Sequence, residues 1–420
     1  MSVSVMKKNI DNLPKRIAKR IIMDVGGTGQ PPIYGYQYFT AGIDGYLSVI
    51  DKEYLSDFIL DGGSAFKLVV GAYGGGKTHF LYSVQGLAWA KNYVTSYIEL
   101  KSEATPLYNL ESVYKAIAIN LLYPQSADEL LKGLDKGIEA IINLWYLETS
   151  KKFVNKSPEE TELIIKDILS SLGPYESTSY LNAVKQAFIA KHNGDEESFN
   201  VIIQWLKGEK PAASDLKKFQ INEKLDKLSA FKFIRCLVRW LNDIGFIGLI
   251  ILMDEAEHDP TFTKRQKQAL LSNLRDLIDT CSKGTLNGSM VFYAVPHVAF
   301  FSGSVGIYEA LNQRLSTFFE VPLNPTGVKI ILDNAGNNPE ELFKEIGFNL
   351  AAIYEKAYDY SLDPTELDER IQRVALISKK QRFGTAGPKR WFVQEIIRNF
   401  EDMRNSPIPD KNGVKSCQTP

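Results

Sequence analysis

Residues 66–78 read Phe-Lys-Leu-Val-Val-Gly-Ala-Tyr-Gly-Gly-Gly-Lys-Thr, and this stretch decides the fold. The apolar residues at its start predict a buried β-strand, and the pattern from residue 77 to about residue 90 predicts a helix. Residues 71–78 match the pattern G-x-x-x-x-G-K-[ST]. Glycines allow the backbone to come close to a ligand, so that consecutive N–H groups can hold phosphate oxygens at the start of a helix. The stretch therefore predicts a phosphate-binding loop between a strand and a helix.

The phosphate-binding loop assigns a role to its polar residues. Lys77 is expected to reach the β- and γ-phosphates of a nucleotide, and Thr78 to place its hydroxyl group on Mg²⁺. The candidate nucleotide-binding residues are Gly71, Ala72, Tyr73, Gly74, Gly75, Gly76, Lys77, Thr78 and His79. The alternative interpretation is a glycine-rich turn that matches by chance. It is disfavoured by the strand before the loop and the helix after it.

A pair of carboxylates follows the longest apolar run of the chain, residues 246–253. The run predicts a buried strand, which would bring Asp254 and Glu255 to the edge where α/β sheets bind ligands. Asp254 is expected to hold Mg²⁺, commonly through water, and Glu255 to polarise the water that attacks the γ-phosphate. A strand that merely ends in an acidic turn is the alternative. Together with the loop, the pair predicts hydrolysis of ATP, since the chain lacks the Asn-Lys-x-Asp stretch typical of GTPases.

The composition limits the possible classes of protein. The 420 residues contain 49 basic and 50 acidic side chains, which argues against a protein whose whole surface binds nucleic acid. Cys236, Cys281 and Cys417 form no CxxC pair, which argues against a disulfide scaffold or a zinc site. No apolar run reaches the roughly 18 residues of a membrane helix, and the basic N-terminus lacks the apolar segment of a secretory signal. A cytoplasmic protein without membrane contact is expected.

The remaining pattern predicts an α/β protein. Further strands are predicted at residues 93–100 and 290–295, so that strand, helix and strand follow one another as in a parallel sheet. Residues from about 112 to 241 and from about 323 to 403 show the three- and four-residue apolar spacing of helices. The polar residues 405–420 predict a disordered tail.

Two motifs and the N-terminal run resemble those of a known family. The motifs are Gly-Ala-Tyr-Gly-Gly-Gly-Lys-Thr-His-Phe-Leu at residues 71–81 and Met-Asp-Glu-Ala-Glu at residues 253–257. They resemble the ATP-binding proteins of bacterial BREX phage-defence loci, in particular the BrxD type, which are related to the origin-recognition branch of AAA+ ATPases. The resemblance covers about residues 12–400. It implies an AAA+-like P-loop parallel sheet with a large helical insertion and a C-terminal helical lid.

The resemblance also implies boundaries for the segments of the chain. The expected segments are an N-terminal helix with an adenine-side loop (1–45), an ATPase core (46–325) with a helical insertion (about 104–240), a helical lid (326–404) and the tail (405–420). The aromatic-rich residues 33–42 occupy the stretch that cups adenine in AAA+ proteins. A hydrophobic plug over the edge of the sheet is the equally good alternative for this stretch.

Two arginines have counterparts in AAA+ proteins. Arg314 occupies the place of the arginine finger, which acts on the nucleotide of a neighbouring subunit, and Arg390 the sensor-2 place in the lid, with Lys389 as a substitute. Arginines on ordinary helices are the alternative. The sensor-1 place offers no Asn or Thr, so that Tyr293 or His297 stands in or the role is absent. Arg314, Arg390 and Glu255 complete the candidate catalytic residues.

The expected function is that of an ATP-driven switch or DNA-associated factor in defence against phage, with ATP and Mg²⁺ as cofactors. The alternatives are a DNA-remodelling motor or loader and an ATP-dependent oligomerising signalling scaffold. The resemblance implies a homo-oligomer, other proteins of the same locus and double-stranded DNA as partners. The chain after Arg390 is too short for the winged helix of initiator-type relatives, so autonomous sequence-specific DNA binding is not expected.

Overall fold

The computed structural model describes residues 10–100, 107–254, 262–297, 306–319, 324–334, 338–380 and 387–405. They belong to two compact units. The sheet unit contains Gly42–Ala335, and the helical unit combines Ser4–Ala41 with Gly336–Pro420. In chain order, the helices are α1 (Lys15–Thr28), α2 (Asp44–Val49), α3 (Lys77–Ala90), α4 (Leu110–Ile119), α5 (Ala127–Lys132), α6 (Ile138–Ser150), α7 (Pro158–Ser170), α8 (Thr178–Asn193), α9 (Glu196–Leu206), α10 (Ala213–Lys217), α11 (Ala230–Asp243), α12 (Lys264–Ser282), α13 (Gly306–Arg314), α14 (Pro339–Tyr358), α15 (Pro364–Lys380) and α16 (Pro388–Asn405).

A six-stranded sheet organises the described part of the sheet unit. The strands are β1 (Ser64–Val70), β2 (Val94–Glu99), β3 (Leu121–Leu122), β4 (Leu249–Asp254), β5 (Ser289–Val295) and β6 (Lys329–Ile331). Their order across the sheet is β3-β2-β4-β5-β1-β6. All neighbouring strands run parallel except β2 and β3, which are antiparallel. The predicted α/β class with a mainly parallel sheet is therefore confirmed.

The central strands are buried on both faces, which explains their continuous apolar sequences. Every residue of β4 and of β5 is buried. The sequence pattern does not predict β3 or β6, because strands of two and three residues are too short to show a period. The apolar spacing predicts that the stretch after residue 322 is helical. This prediction is wrong for Lys329–Ile331, which form β6.

Helices α4 to α11 lie between β2 and β4 in the chain and bury an aromatic cluster around Phe233. The ring of Phe233 lies 5.6 Å from that of Tyr114, 5.7 Å from that of Tyr180 and 5.2 Å from that of Trp205. Tyr114 also donates a hydrogen bond to the carbonyl oxygen of Leu206, at 2.9 Å. Aromatic pairs at such distances add to the stabilisation from burial. This aromatic cluster is continuous with the hydrophobic core that also contains Leu68 of β1 and Ile251 of β4.

The helical unit packs α1 against α14 and α16. Ile17, Ile21 and Val25 are buried along one face of α1, which is the spacing of an amphipathic helix. Phe343 of α14 and Phe392 of α16 lie 4.9 Å apart at their ring centroids. The N-terminal helix thus belongs to the same unit as the C-terminal helices. The segments expected from the sequence place these helices apart, in residues 1–45 and 326–404. No helix in the described residues is long and apolar enough to cross a membrane.

Lys67 is a charged residue inside the apolar strand β1, and its side chain is only 1% exposed. Its Nζ donates hydrogen bonds to Tyr54 Oη at 2.6 Å and to the Gly327 carbonyl at 2.5 Å. The ring centroids of Tyr54 and Phe319 lie 4.3 and 4.6 Å from Nζ. Among the residues that the structure describes, no carboxylate pairs with it. Burial lowers the pKa of Lys67 to about 7.

The buried Lys67 gives the sheet unit a pH-dependent stability. The ordinary pKa of lysine, 10.5, exceeds the folded-state pKa of about 7, so the unfolded chain binds more protons between these two values. Stability of the wild type therefore rises with pH across that window. We expect Lys67→Met to raise the midpoint of thermal unfolding by a few degrees at pH 7, with a gain that shrinks towards pH 10. Circular dichroism at pH 7, 8.5 and 10 measures this.

Lys15→Met provides the control, since the side chain of Lys15 is 55% exposed. This variant should follow the wild type at every pH. A Lys67→Met protein whose unfolding midpoint runs parallel to that of the wild type from pH 7 to pH 10 would contradict the assignment of a desolvated amine.

Candidate functional site

The glycine loop, residues 71–76, connects β1 to α3 and depends on three consecutive glycines. Gly74 and Gly76 have φ angles of 65° and 97°, which favour glycine. Gly75 is required for space instead, because a Cβ atom there would lie 2.8 Å from the carbonyl oxygen of Ala72. That same oxygen accepts a hydrogen bond from the Gly75 N–H at 2.9 Å. The loop is therefore a tight turn that closes on itself at the N-terminus of a helix.

Lys77 begins α3 and folds back onto the glycine loop. Its Nζ donates to the carbonyl oxygen of Gly71 at 2.8 Å and to that of Ala72 at 3.2 Å. The ring of Tyr73 lies 5.3 Å from the same atom. The loop thus places an ammonium group beside backbone N–H groups at a helix N-terminus, an arrangement that attracts anions.

Asp254 is the last residue of β4 and is only 1% exposed. One of its carboxylate oxygens accepts hydrogen bonds from two hydroxyl groups. Thr78 Oγ1 and Tyr97 Oη each donate a hydrogen bond to Asp254 Oδ2, both at 2.6 Å. The pKa of Tyr97 is raised mainly by burial and, to a smaller extent, by the nearby negative charge of Asp254. The Tyr97 phenol therefore keeps its proton and remains a donor to Asp254 at physiological pH.

The strand order explains how Thr78 reaches Asp254. β5 lies between β1 and β4, so the ends of these two strands are about 10 Å apart, twice the spacing of neighbouring strands. The glycine loop and the first turn of α3 span this gap and bring Thr78 to the end of β4. Tyr97 arrives from the other side, because β2 pairs with β4 in register, with Tyr97 opposite Leu252.

Asp333 contributes a second carboxylate to the glycine loop. It follows β6 at the same edge of the sheet, and its Oδ1 accepts a hydrogen bond from the Ala72 N–H at 3.3 Å. A Cβ atom on Gly75 would also lie 3.2 Å from this oxygen. Asp333 is exposed to solvent, so its carboxylate can leave the loop at little cost.

Tyr97 and Asp333 are not among the residues predicted from the sequence. Tyr97 lies near the end of a predicted strand, and the rule that parallel strands end at one edge could have identified it. Asp333 carries no such signal, because it lies in the stretch that the apolar spacing predicts as helical. Both contacts join residues more than 150 positions apart in the chain.

The structure places the other candidate residues as follows. Arg314 ends α13, where its Nε and Nη2 bind the two carboxylate oxygens of Asp279 at 2.5 and 3.0 Å and its Nη1 binds the Ala310 carbonyl at 2.8 Å. The guanidinium group lowers the pKa of Asp279. Arg390 is half-buried in the first turn of α16, in the helical unit. Glu255 lies outside the described residues.

The other aromatic and adenine-side candidates are also located. Tyr293 is buried in β5, with its ring 6.5 Å from that of Phe66, and His297 follows the end of that strand. Residues 33–41 belong to the helical unit, and Gly42 belongs to the sheet unit. His79 lies in the first turn of α3, and its carbonyl oxygen accepts a hydrogen bond from Ser83.

The donor atoms at the end of β4 suit Mg²⁺. Thr78 and Asp254 offer a hydroxyl and a carboxylate oxygen, which are the hard ligands that Mg²⁺ prefers. The described residues contain no cluster of three or more His, Cys, Asp and Glu side chains. Mg²⁺ is commonly held by one or two protein oxygens together with phosphates and water, so this sparse set fits the ion.

Comparison with known proteins agrees with these observations. The family model described as "BREX system ATP-binding protein BrxC/D" matches residues 13–407. This match confirms the resemblance to the BREX ATP-binding proteins. No curated protein and no solved structure matches the chain.

The glycine loop provides a direct test of the site. We expect Gly75→Ala to weaken ATP binding by at least about tenfold, because the added methyl group would collide with the Ala72 carbonyl and open the turn. Titration calorimetry with ATP and Mg²⁺ measures the affinity.

The matched control is Gly27→Ala in α1, where no atom lies within 4 Å of the added methyl group. It should bind ATP like the wild type. Equal ATP affinity of Gly75→Ala and Gly27→Ala would show that the nucleotide binds elsewhere.

Proposed function

The chain belongs to the family of BREX system ATP-binding proteins, and from this premise we propose that it hydrolyses ATP and acts as an ATP-driven switch in phage defence. The single observation that carries the proposal is the contact of Thr78 Oγ1 with Asp254 Oδ2 at 2.6 Å. A buried carboxylate brought to the loop's threonine adds the oxygen ligands needed for a metal-dependent reaction.

Each residue of the site then has a defined task. The N–H groups of residues 71–76 and the ammonium group of Lys77 bind the phosphates. Thr78 and Asp254 would hold Mg²⁺, which offsets the negative charge of the phosphates when it is bound. Tyr97 keeps the Asp254 carboxylate in place through its hydrogen bond. Glu255 comes directly after Asp254 and orients the attacking water.

An AAA+-like core is the arrangement that best accommodates the remaining residues. In this proposal Arg314 acts on the nucleotide of a neighbouring subunit, and Arg390 comes from a helical lid. Loss of the γ-phosphate charge would release both arginines and so change the arrangement of subunits. Within one chain, the guanidinium group of Arg314 is paired with the Asp279 carboxylate. When subunits assemble, Arg314 would leave Asp279 and bind phosphate oxygens of the neighbouring subunit's nucleotide instead.

The hydrolysis reaction is tested at the two carboxylates. We expect Glu255→Gln to bind ATP normally and to hydrolyse it about 10²–10⁴-fold more slowly, since the amide cannot accept the proton of water. Asp254→Asn should abolish the Mg²⁺-dependent part of turnover. Phosphate release measured with and without Mg²⁺ distinguishes the two effects.

Glu99→Gln is the control for charge at this edge of the sheet. Glu99 ends β2 opposite Asp254 in the strand register and is exposed. Its substitution should leave turnover within about twofold of the wild type. Near-normal hydrolysis by Asp254→Asn would refute the proposed ATPase.

The arginine finger is tested by combining turnover with light scattering. We expect Arg314→Ala to bind ATP with unchanged affinity but to lose at least about tenfold in turnover, because a neighbouring subunit no longer stabilises the γ-phosphoryl group. Arg275→Ala on α12, which removes a guanidinium paired with Asp276, should keep wild-type turnover. Wild-type activity in a strictly monomeric preparation would exclude the finger.

The same scattering experiment examines the proposed partners. Samples with ATP, with double-stranded DNA and with both show whether nucleotide or nucleic acid drives assembly. Stimulation of turnover by DNA would favour a motor or loader over a switch that responds to ATP alone.

A further inference from the structure

A cavity of about 520 Å³ opens in the sheet unit beside the first half of β1. We call it the basal cavity. Ser64 and Lys67 of β1 line it, whereas the glycine loop follows the other end of the strand. Since a strand rises about 3.3 Å per residue, Lys67 lies about 13 Å along the strand from the start of the glycine loop. The basal cavity is therefore separate from the proposed nucleotide site.

Among the described residues that line the basal cavity, no carboxylate contacts the Lys67 ammonium group. Lys67 and Arg314 line the cavity, and so does Glu53 on the π-helical segment Ile50–Phe58. Arg314 already has a carboxylate partner in Asp279. Among the described residues, the ammonium group of Lys67 donates to Tyr54 and to a backbone carbonyl, and both of these partners are neutral. A buried cation without a counter-ion costs free energy that an anion in the cavity would recover.

The walls of the basal cavity are largely apolar. Phe58, Phe66, Ile278 and Val328 contribute to its lining. The side chain of Phe58 is 49% exposed, which is unusual for a large aromatic residue unless a ligand or partner covers it. Sites for small molecules commonly have volumes of roughly 300–1,000 Å³ and combine apolar walls with a few polar groups.

We propose that the basal cavity binds a small organic anion with an apolar body, whose acid group pairs with Lys67 and whose body packs against Phe58, Phe66 and Ile278. The site would serve a ligand other than ATP, although Arg314, the proposed arginine finger, also lines the cavity. Lys67 supplies the charge and an N–H donor that has no partner among the described residues, and the aromatic walls select against small inorganic ions.

The site is tested by calorimetric titration with 2-naphthoate, in the presence of saturating ATP so that the nucleotide site is filled. The uncharged isostere 2-naphthalenemethanol is the matched ligand. We expect 2-naphthoate to bind at least tenfold more tightly than the alcohol. A parallel titration with 2-naphthyl phosphate distinguishes a carboxylate ligand from a phosphate ligand. Failure of both anions to bind at 1 mM, or equal binding of the alcohol, would overturn the proposal.

Two lysines allow a matched comparison of variants. Lys67→Met should lose the preference for the anion, whereas Lys329→Met should retain it. Lys329 is also a largely buried lysine with a lowered pKa caused by burial, but it is on β6 and does not line the basal cavity. Unchanged affinity of Lys67→Met for 2-naphthoate would overturn the assignment.

Ser282→Trp offers a second variant that leaves the core intact. Ser282 is an exposed residue at the end of α12 and lines the cavity, so a tryptophan there should block entry of either anion. The Lys77→Ala variant should still bind 2-naphthoate even though its ATP site is impaired. Its loss of naphthoate binding would show that the anion uses the nucleotide site, and this outcome would also overturn the proposal.

Proton uptake on binding of the anion distinguishes charge pairing with Lys67 from a purely structural role of this residue. At pH 8 the Lys67 amine is mostly neutral, since burial lowers its pKa to about 7, and pairing with an anion should draw a proton onto it. The other titratable or charged groups that line the cavity are Glu53, Tyr54 and Arg314. Titrations in buffers of different ionisation enthalpy should show uptake approaching one proton in the wild type and none in Lys67→Met. Binding without proton uptake at pH 8 would exclude Lys67 as the counter-ion.

Discussion

The buried carboxylate of Asp254 is the constraint on which the site depends. Burying a carboxylate that is only 1% exposed costs free energy unless it is hydrogen-bonded. Here the hydroxyl groups of Thr78 and Tyr97 both donate hydrogen bonds to the same carboxylate oxygen. Thr78 can reach it only if the glycine loop turns tightly, and Tyr97 only if β2 keeps its register with β4. The sheet, the loop and the first turn of α3 are therefore mutually dependent.

Strand β1 carries a buried lysine at its centre and leads into a loop that can bind an anion. Its C-terminal end leads into backbone N–H groups that can bind phosphate, which an anion satisfies from solvent. In the middle of the strand, the described hydrogen-bond partners of Lys67 are neutral, and burial lowers its pKa to about 7. An apolar residue at position 67 would cost less free energy than a lysine, since a buried charge without a partner is destabilising. A ligand at the basal cavity is a physical reason for a lysine to occupy this position.

The sequence was informative where a signal is local and uninformative where a contact is long-range. The glycine loop and Asp254 are recognisable because their spacing and the adjoining strands lie within about ten residues. The contact of Asp333 with Ala72 joins residues 261 positions apart and that of Lys67 with Gly327 residues 260 positions apart, and no periodicity in the sequence indicates either contact. The grouping of α1 with α14 and α16 likewise comes from packing that the chain order conceals.

The pair of Arg314 with Asp279 determines how an arginine finger could operate in the proposed switch. Both side chains are about one-third exposed, and solvent-exposed pairs contribute on the order of 1 kcal/mol or less. A triphosphate presents more negative charge than one carboxylate and accepts the same bidentate hydrogen bonds. Exchange of Asp279 for phosphate oxygens is therefore energetically accessible, and the return of Arg314 to Asp279 after loss of the γ-phosphate needs no additional device. A weak pair within the chain suits an arginine that must change partners in every cycle.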